Sequence, residues 1–433
     1  MRIPPMRLLA LALGLVLPWA AGAAPFDWMR HKGETIEFLT ENHPWSNPVV
    51  KLLPEFEALT GIRVQVDTFQ EQQMRQRLVT LLQSKSPTLD VLMSLKSLEG
   101  QLYARAGWYT DLTPLVQSAE DTAPGFNVAD FSAALIRGET FGGKLDGIPL
   151  NIEGPIVYYR KDVFQKCGVA VPASLDALMQ AAAKIKACEP GMAAWATRGL
   201  KPALAYTFSN VLHNFGADYF DAAGKSSLCS PAAVSAIDWY AKMLRAYGPA
   251  GSVNNSFLQL QELYGQNRAA MAFEASNVFS EVVKFPHRQD DTGVMLLPPG
   301  PGGSKPTVIG WGLSISAYSK HTGAAWYFVQ WATSPAMQAR LAVMGIAPPR
   351  KSVAASAAYQ AWLHAVPLRQ AWAGLLDQMG QSGTSEVGPP VEQQPQSRDI
   401  IGQAVDSVLL GQASAHDAGC AADKQFAAML AAH

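Results

Sequence analysis

Between residues 35 and 93 the spacing of apolar residues switches repeatedly between a period of two and a period near 3.6. This alternation restricts the fold of the 433-residue chain more than any other feature. Thr35 to Leu39 reads as a strand. Asn47 as cap and Pro48 in the first turn then open a helix in which Val49, Leu52, Leu53, Phe56 and Leu59 share one face as far as Gly61. Pro54 falls inside that pattern and carries no N–H donor, which predicts a bend there. Ile62, Val64 and Val66 alternate as a second strand, Met74, Leu78, Leu81 and Leu82 mark a second helix, and Val91 to Met93 begin a third strand. A β-α-β-α-β order predicts a parallel sheet covered by helices, with a ligand crevice at the carboxyl ends of its strands.

A second α/β unit begins near Ile156 and includes a helical pattern from Ser174 to Ala187, with Ser174 as its cap. Proline and glycine concentrate in Leu297 to Pro306 and again from Gly388 to Pro395, and both stretches read as loops. At roughly 100–200 residues per domain, the length fits two or three such units. Apolar residues make up 48% of the chain and charged residues 16%, so a packed core is affordable in surface terms and disorder is not expected. With 34 Lys and Arg against 35 Asp and Glu there is no polycationic field, which argues against nucleic acid or an anionic membrane surface as partner. The 11 Trp instead offer flat surfaces for a neutral ligand.

The first residues have the layout of an export signal. Arg2 and Arg7 precede the apolar run Leu8 to Leu17, and the small residues Ala20 to Ala24 follow, predicting cleavage after Ala23. The run is shorter than the roughly 20 residues of a spanning helix, and no Cys sits at the cut to carry a lipid. Loss of residues 1–23 leaves 32 basic and 35 acidic residues, a formal charge of −3. Four cysteines, Cys167, Cys188, Cys229 and Cys420, would then be exported to a compartment where disulfides persist. Three pairings are possible, of which 167–188 and 229–420 are favoured. No C-x-x-C or close Cys/His cluster suggests a metal, and no cofactor is expected.

Catalytic signatures are missing. The chain has no P-loop, no G-x-G-x-x-G after a strand, no G-x-S-x-G elbow and no H-E-x-x-H. The glycines of residues 300 to 303 read as a turn rather than a phosphate cradle, because no helix with a Lys-Ser/Thr start follows. Carboxylates such as Glu153 and Glu274 could serve a glycoside-acting enzyme if the fold set them across a bond, although surface or hydrogen-bonding roles are commoner.

Residues 147 to 168, GIPLNIEGPIVYYRKDVFQKCG, resemble the signature segment of the extracellular solute-binding proteins of family 1, the maltose-binding-like receptors of ABC importers. Arg160 stands where that family usually has Asn. Val50 to Val66, Gly265 to Ser280 and Thr307 to Pro335 look like the same family in the same order, so the resemblance runs from about Glu34 to the C-terminus. Glu71 to Thr80 is similar to a helix of the sugar-alcohol and monosaccharide members.

The resemblance implies a two-lobed α/β periplasmic binding protein of the type II kind, with a ligand cleft between the lobes and several crossing segments. Crossings are expected near Asn151 to Gly154, near Ile309 to Leu313 and near residues 356–368. The N-terminal lobe would comprise residues 24–151 and 313–360, the C-terminal lobe 152–312 and 361–433. The implied function is capture of a neutral sugar or sugar alcohol in the periplasm, without catalysis, and its delivery by a monomeric receptor to inner-membrane ABC permease subunits. Receptors for a phosphorylated polyol or a polyamine are the alternative, followed by a secreted glycoside-acting enzyme.

A polyhydroxylated ligand needs aromatic plates for its C–H faces and amides or carboxylates for its hydroxyls. Trp311, between Gly310 and Gly312, is the expected plate. Matched to the family, Glu153 at the first crossing and Glu274 with Asn277 after the strand Ala270 to Phe273 are expected hydroxyl partners. Trp45, Lys96, Tyr206 and Arg398 complete the candidate set. Of the pair Tyr158–Tyr159, alternating strand geometry sends one ring into the core, so packing is its expected role.

Overall fold

The computed structural model describes residues 25–432 apart from 283, 286 and 287. The export signal and its cut after Ala23 therefore lie outside the described residues.

The predicted alternation produces strands β1 (Thr35–Glu41), β2 (Arg63–Phe69) and β3 (Val91–Ser94), with β1 parallel to both others. Further along come a small hairpin, β4 (Thr140–Phe141) and β5 (Lys144–Leu145), then β6 (Ile148–Pro149), β7 (Pro155–Arg160) and β8 (Ala196–Thr197). The last three strands are β9 (Met271–Ala275), β10 (Thr292–Met295) and β11 (Gly312–Ile315). Two sheets result, ordered β2-β1-β3-β11-β6 and β10-β7-β9-β8. The first is not wholly parallel. Returning from the second half of the chain, β11 runs antiparallel between β3 and β6 and so stitches residues 312–315 into the first sheet.

Burial follows strand position. Every residue of β3, in mid-sheet, is buried, whereas β2 at the edge alternates between exposed and half-buried. Ile36 and Phe38 of β1 are fully covered, and the Phe38 ring meets Phe328 at 5.0 Å, which in turn meets Phe56 at 5.5 Å. Each such side chain contributes about 1.5–3 kcal/mol by leaving water. Helix Thr322–Ala332, far along the chain, thus packs on the first sheet, burying Ala324 through Ala332. The second sheet has its own cores, in which Val157 packs with Phe208 and Phe273 on one side, and Ile156 and Tyr158 with Trp372 on the other.

One helix expectation needs correction. The segment after β1 is two helices, Ser46–Lys51 and Leu53–Thr60, interrupted at Leu52, and the first is capped by Trp45 rather than Asn47. Pro54 has no N–H for the carbonyl four residues earlier, so the chain restarts a helix with Pro54 in its first turn instead of bending one. Ser174 caps helix Leu175–Cys188 by accepting from the Ala177 N–H at 3.1 Å. Residues 300 and 303 close a turn, Gly303 N–H donating to Gly300 O at 2.9 Å.

Cys167 ends helix Lys161–Lys166, and the chain folds back through Gly168 at φ 62° so that Cys188 meets it, Cα to Cα 5.8 Å. Cys229 pairs with Cys420 across 191 residues, tying the C-terminal helix Ala415–Ala431 to the head of helix Pro231–Tyr247. Arg160, the residue that departs from the family pattern, is bound to Asp162 and donates to Asn267 Oδ1 at 2.6 Å. Tyr158 is fully buried, its hydroxyl donating to Ala275 O at 3.0 Å, while Tyr159 is half-buried against Phe164. No helix of the described residues is long and apolar enough to cross a membrane.

Candidate functional site

The carboxyl ends of both sheets' strands converge on one small polar cavity. Glu41 and His43 come from the end of β1, Glu71 from the helix start after β2, and Leu95 from the end of β3. From the second sheet, Arg198 follows β8, and Ala275 and Asn277 lie at and beyond the end of β9. Tyr206 and Phe257 stand on helices, and Glu153 and Trp311 on two segments that cross between the sheets. These crossing segments hold each other: Glu153 N–H donates to Ile309 O at 2.9 Å and Ile309 N–H to Glu153 O at 2.8 Å. The approach is so close that a Cβ on Gly154 would lie 2.1 Å from Thr307 O.

Glu153 is the hub of the uncharged part of the site. Its carboxylate accepts from Asn151 Nδ2 at 2.9 Å, from the Trp311 indole N–H at 3.3 Å and from the Tyr206 hydroxyl at 3.5 Å. The His43 Nε2 lies 3.8 Å away. His43 Nδ1 accepts the Trp45 backbone N–H at 3.1 Å, and its Nε2 lies 2.5 Å from the Asn277 side-chain amide. Trp311 is only 4% exposed, with the Arg75 guanidinium 5.1 Å from its ring centroid and the His43 ring at 5.5 Å.

The charged part is a relay of ion pairs running from one sheet to the other. Arg198 is gripped by Glu274, Nη2 to Oε1 at 2.7 Å and Nε to Oε2 at 3.0 Å, and its Nη1 reaches Glu71 Oε2 at 3.2 Å. Glu71 also accepts from Arg75 at 3.0 Å, and Arg75 pairs with Glu99. Burial alone would raise the Glu71 pKa, but the Arg198 and Arg75 guanidiniums more than offset it and hold it at about 2. Glu41 has the opposite balance. Burial and the neighbouring Glu71 charge push its pKa well up, and its Oε2 is buried without a hydrogen-bond partner, at the cavity wall. A protonated carboxyl there is a hydrogen-bond donor waiting for an acceptor such as a ligand hydroxyl.

Of the eight residues singled out from the sequence, Glu153, Tyr206, Asn277 and Trp311 line the cavity. Glu274 stands behind it and acts through Arg198. The other three do not line it either. Trp45 is fully buried in the core of the first sheet, where it caps helix Ser46–Lys51, and only its backbone N–H serves the site. Lys96 is 4% exposed and turned into the first sheet, donating to Ser94 at 2.9 Å and Ser314 at 2.5 Å and pairing with Glu139 at 3.3 Å. Arg398 is buried behind Glu71, where burial first and the Arg75 charge second lower its pKa to about 9. The glycines beside Trp311 have another use than freeing its indole: a Cβ on Gly312 would lie 2.3 Å from the Glu139 carboxylate.

Glu41, His43, Glu71, Arg198 and Phe257 were not anticipated. Position was the available signal for four of them, since Glu41 ends β1 and His43, Glu71 and Arg198 come within two residues of a strand's carboxyl end, where open α/β sheets bind ligands.

A profile of bacterial extracellular solute-binding proteins matches residues 43–339. The chain belongs to this family. Among its relatives, the mannitol-binding protein of Pseudomonas aeruginosa is 27% identical over 433 aligned positions, covering 94% of this chain and 96% of that protein. The erythritol/L-threitol-binding protein of Mycolicibacterium smegmatis is also 27% identical, over 71% of this chain and 68% of its own length. Among solved structures, an ABC transporter solute-binding protein from Agrobacterium vitis with bound D-mannitol superposes with a TM-score of 0.81 at 25% identity, covering 92% of this chain and 99% of that one. A homologue from Agrobacterium radiobacter in complex with ribitol gives 0.81 at 23% identity, over 94% of this chain and all of that one, and supports the two-lobed fold. This solute-binding protein thus carries its polar cavity between the two sheets that define its lobes.

Proposed function

We propose that this solute-binding protein captures an acyclic sugar alcohol in the cavity around Trp311 and Glu153 and delivers it to the permease of an ABC importer. The observation that carries this reading is a lining in which hydrogen-bonding groups surround a single indole: Glu41, His43, Glu153, Tyr206 and Asn277 face the same space as Trp311. A polyol presents hydroxyls on every side and C–H groups between them, which such a lining matches. The relatives named for mannitol and for erythritol/L-threitol support the same class.

The competing readings are less well supported. A phosphorylated polyol would need a cation to receive it, and Arg198 is already committed to Glu274 and Glu71. Catalysis by Glu153 and Glu274 is disfavoured because Glu274 is locked on Arg198 from behind the cavity. The receptor would act in the periplasm after cleavage of residues 1–23. Its lobes would be 24–151 with 313–360, and 152–312 with 361–433. Membership of β11 in the first sheet and of helix Pro367–Ser382 in the second core supports that division. Ligand would close the lobes, since contacts to both sides form only in the closed state.

Calorimetric titration of the mature chain with mannitol, ribitol, erythritol, maltose, an amino acid and spermidine tests the proposal. Binding of one or more sugar alcohols, with a smaller radius of gyration by X-ray scattering, is the expected result. Binding confined to maltose, the amino acid or spermidine overturns it.

A further inference from the structure

Away from the cavity, His213, Asp218 and Glu386 bring one imidazole nitrogen and two carboxylate oxygens within 4.8 Å of one another. We propose that these three residues form a binding site for a zinc-class divalent cation. His213 lies at the end of helix Lys201–Asn214, Asp218 in the loop that follows, and Glu386 in the loop after helix Pro367–Ser382.

The imidazole is the independent sign that something is meant to sit here. His213 is 8% exposed, and neither of its ring nitrogens has a hydrogen-bond partner. A buried polar group without a partner costs about 1–3 kcal/mol, so a nitrogen left in this state points to an absent ligand. Nε2 faces Glu386 Oε2 at 3.6 Å, a ligand-to-ligand separation that suits a cation about 2.0–2.2 Å from each.

The donor set chooses the cation. One imidazole and two carboxylates with room for water match Zn²⁺, whereas Ca²⁺ and Mg²⁺ prefer oxygen alone. A bound ion would pin the loop that carries Glu386, whose neighbour Thr384 pairs with Thr307 at the start of a crossing segment, to the helix that carries Tyr206.

The test uses the full mature chain with its disulfides oxidised, which removes Cys229 and Cys420 beside His416 as an alternative site. After chelation and desalting, ZnCl₂ is titrated calorimetrically and by thermal shift. One equivalent of Zn²⁺ should bind and raise the melting temperature. Asp218→Asn and Glu386→Gln should each weaken uptake at least about tenfold while leaving the circular dichroism spectrum unchanged. No uptake, uptake unaltered in both variants, or Ca²⁺ bound in preference to Zn²⁺ would overturn the assignment.

Discussion

Replacing Glu71 by Gln isolates the contact that spans the cleft. Glu71 opens the helix after β2 of the first sheet, and its partner Arg198 follows β8 of the second. The amide keeps the size of the carboxylate, so the perturbation is one of charge. No guanidinium is orphaned, because Arg198 keeps both of its bonds to Glu274 and Arg75 keeps Glu99. Two charge-assisted contacts of Glu71 become neutral; the one to Arg75 lies within a single helix, and the one across the cleft, to Arg198, is worth about 1.5–3 kcal/mol. If the lobes close on ligand as proposed, the contact exists only in the closed state and the loss should fall on ligand affinity, about ten- to 150-fold at 1.4 kcal/mol per decade. The sign with pH follows from the depressed pKa of about 2: the contact is fully present above the ordinary carboxylate range near 4.5 and is lost only as pH falls toward 2. Wild-type contributions from Glu71 should therefore be flat from pH 8 to pH 5. Calorimetric titration of mannitol into wild type and Glu71→Gln at pH 7 reads the difference. Affinities within twofold of each other would refute the idea that this ion pair holds the cleft closed.

Trp311→Ala removes the indole and its bond to Glu153, and should weaken sugar-alcohol binding by about 2 kcal/mol or more with an unchanged circular dichroism spectrum; equal affinity by calorimetry would contradict its role as the plate. Lys96→Met leaves the Glu139 carboxyl buried without its cation, so urea denaturation should show a loss of about 3–5 kcal/mol, while ligand affinity in the folded fraction stays the same. A fall in affinity without a fall in stability would return Lys96 to the binding site. Glu41 has its pKa raised in the folded protein, first by burial and then by Glu71, so its penalty on stability is absent below about pH 4.5 and grows as pH rises toward the folded value. Glu41→Gln has no such penalty and should gain stability over wild type between pH 5 and pH 8, by about 1 kcal/mol or more; parallel stability–pH curves would exclude a protonated Glu41.

The fold was legible where local pattern and tertiary position agree. Period-two runs at 35–39, 62–66 and 91–93 became β1, β2 and β3 because their alternating or continuous apolar faces have only one way to leave water. The site was legible only in part. Glu153, Asn277 and Trp311 sit on the segments that carry the family resemblance, and these reach the cavity, as does Tyr206 from a helix outside them. Lys96 failed because a residue just past a strand can turn toward the cleft or back under the sheet. The choice was made by Glu139, 43 residues away, which offers a buried counter-charge through the gap left by Gly312.

By itself the sequence determined two α/β units and the strand ends at which the cavity lies, because these follow from periodicity within short windows. Only the tertiary structure decided that β11 returns to the first sheet, that Arg198 joins Glu274 to Glu71 across the cleft, and that Glu41 is left without a partner. Those outcomes depend on the distance between charges far apart in sequence and on the dielectric around them. Glu41 and Glu71 are both buried glutamates in the first lobe, yet one is pushed toward its neutral form and the other held ionised. The difference lies in which guanidiniums the fold brings to each.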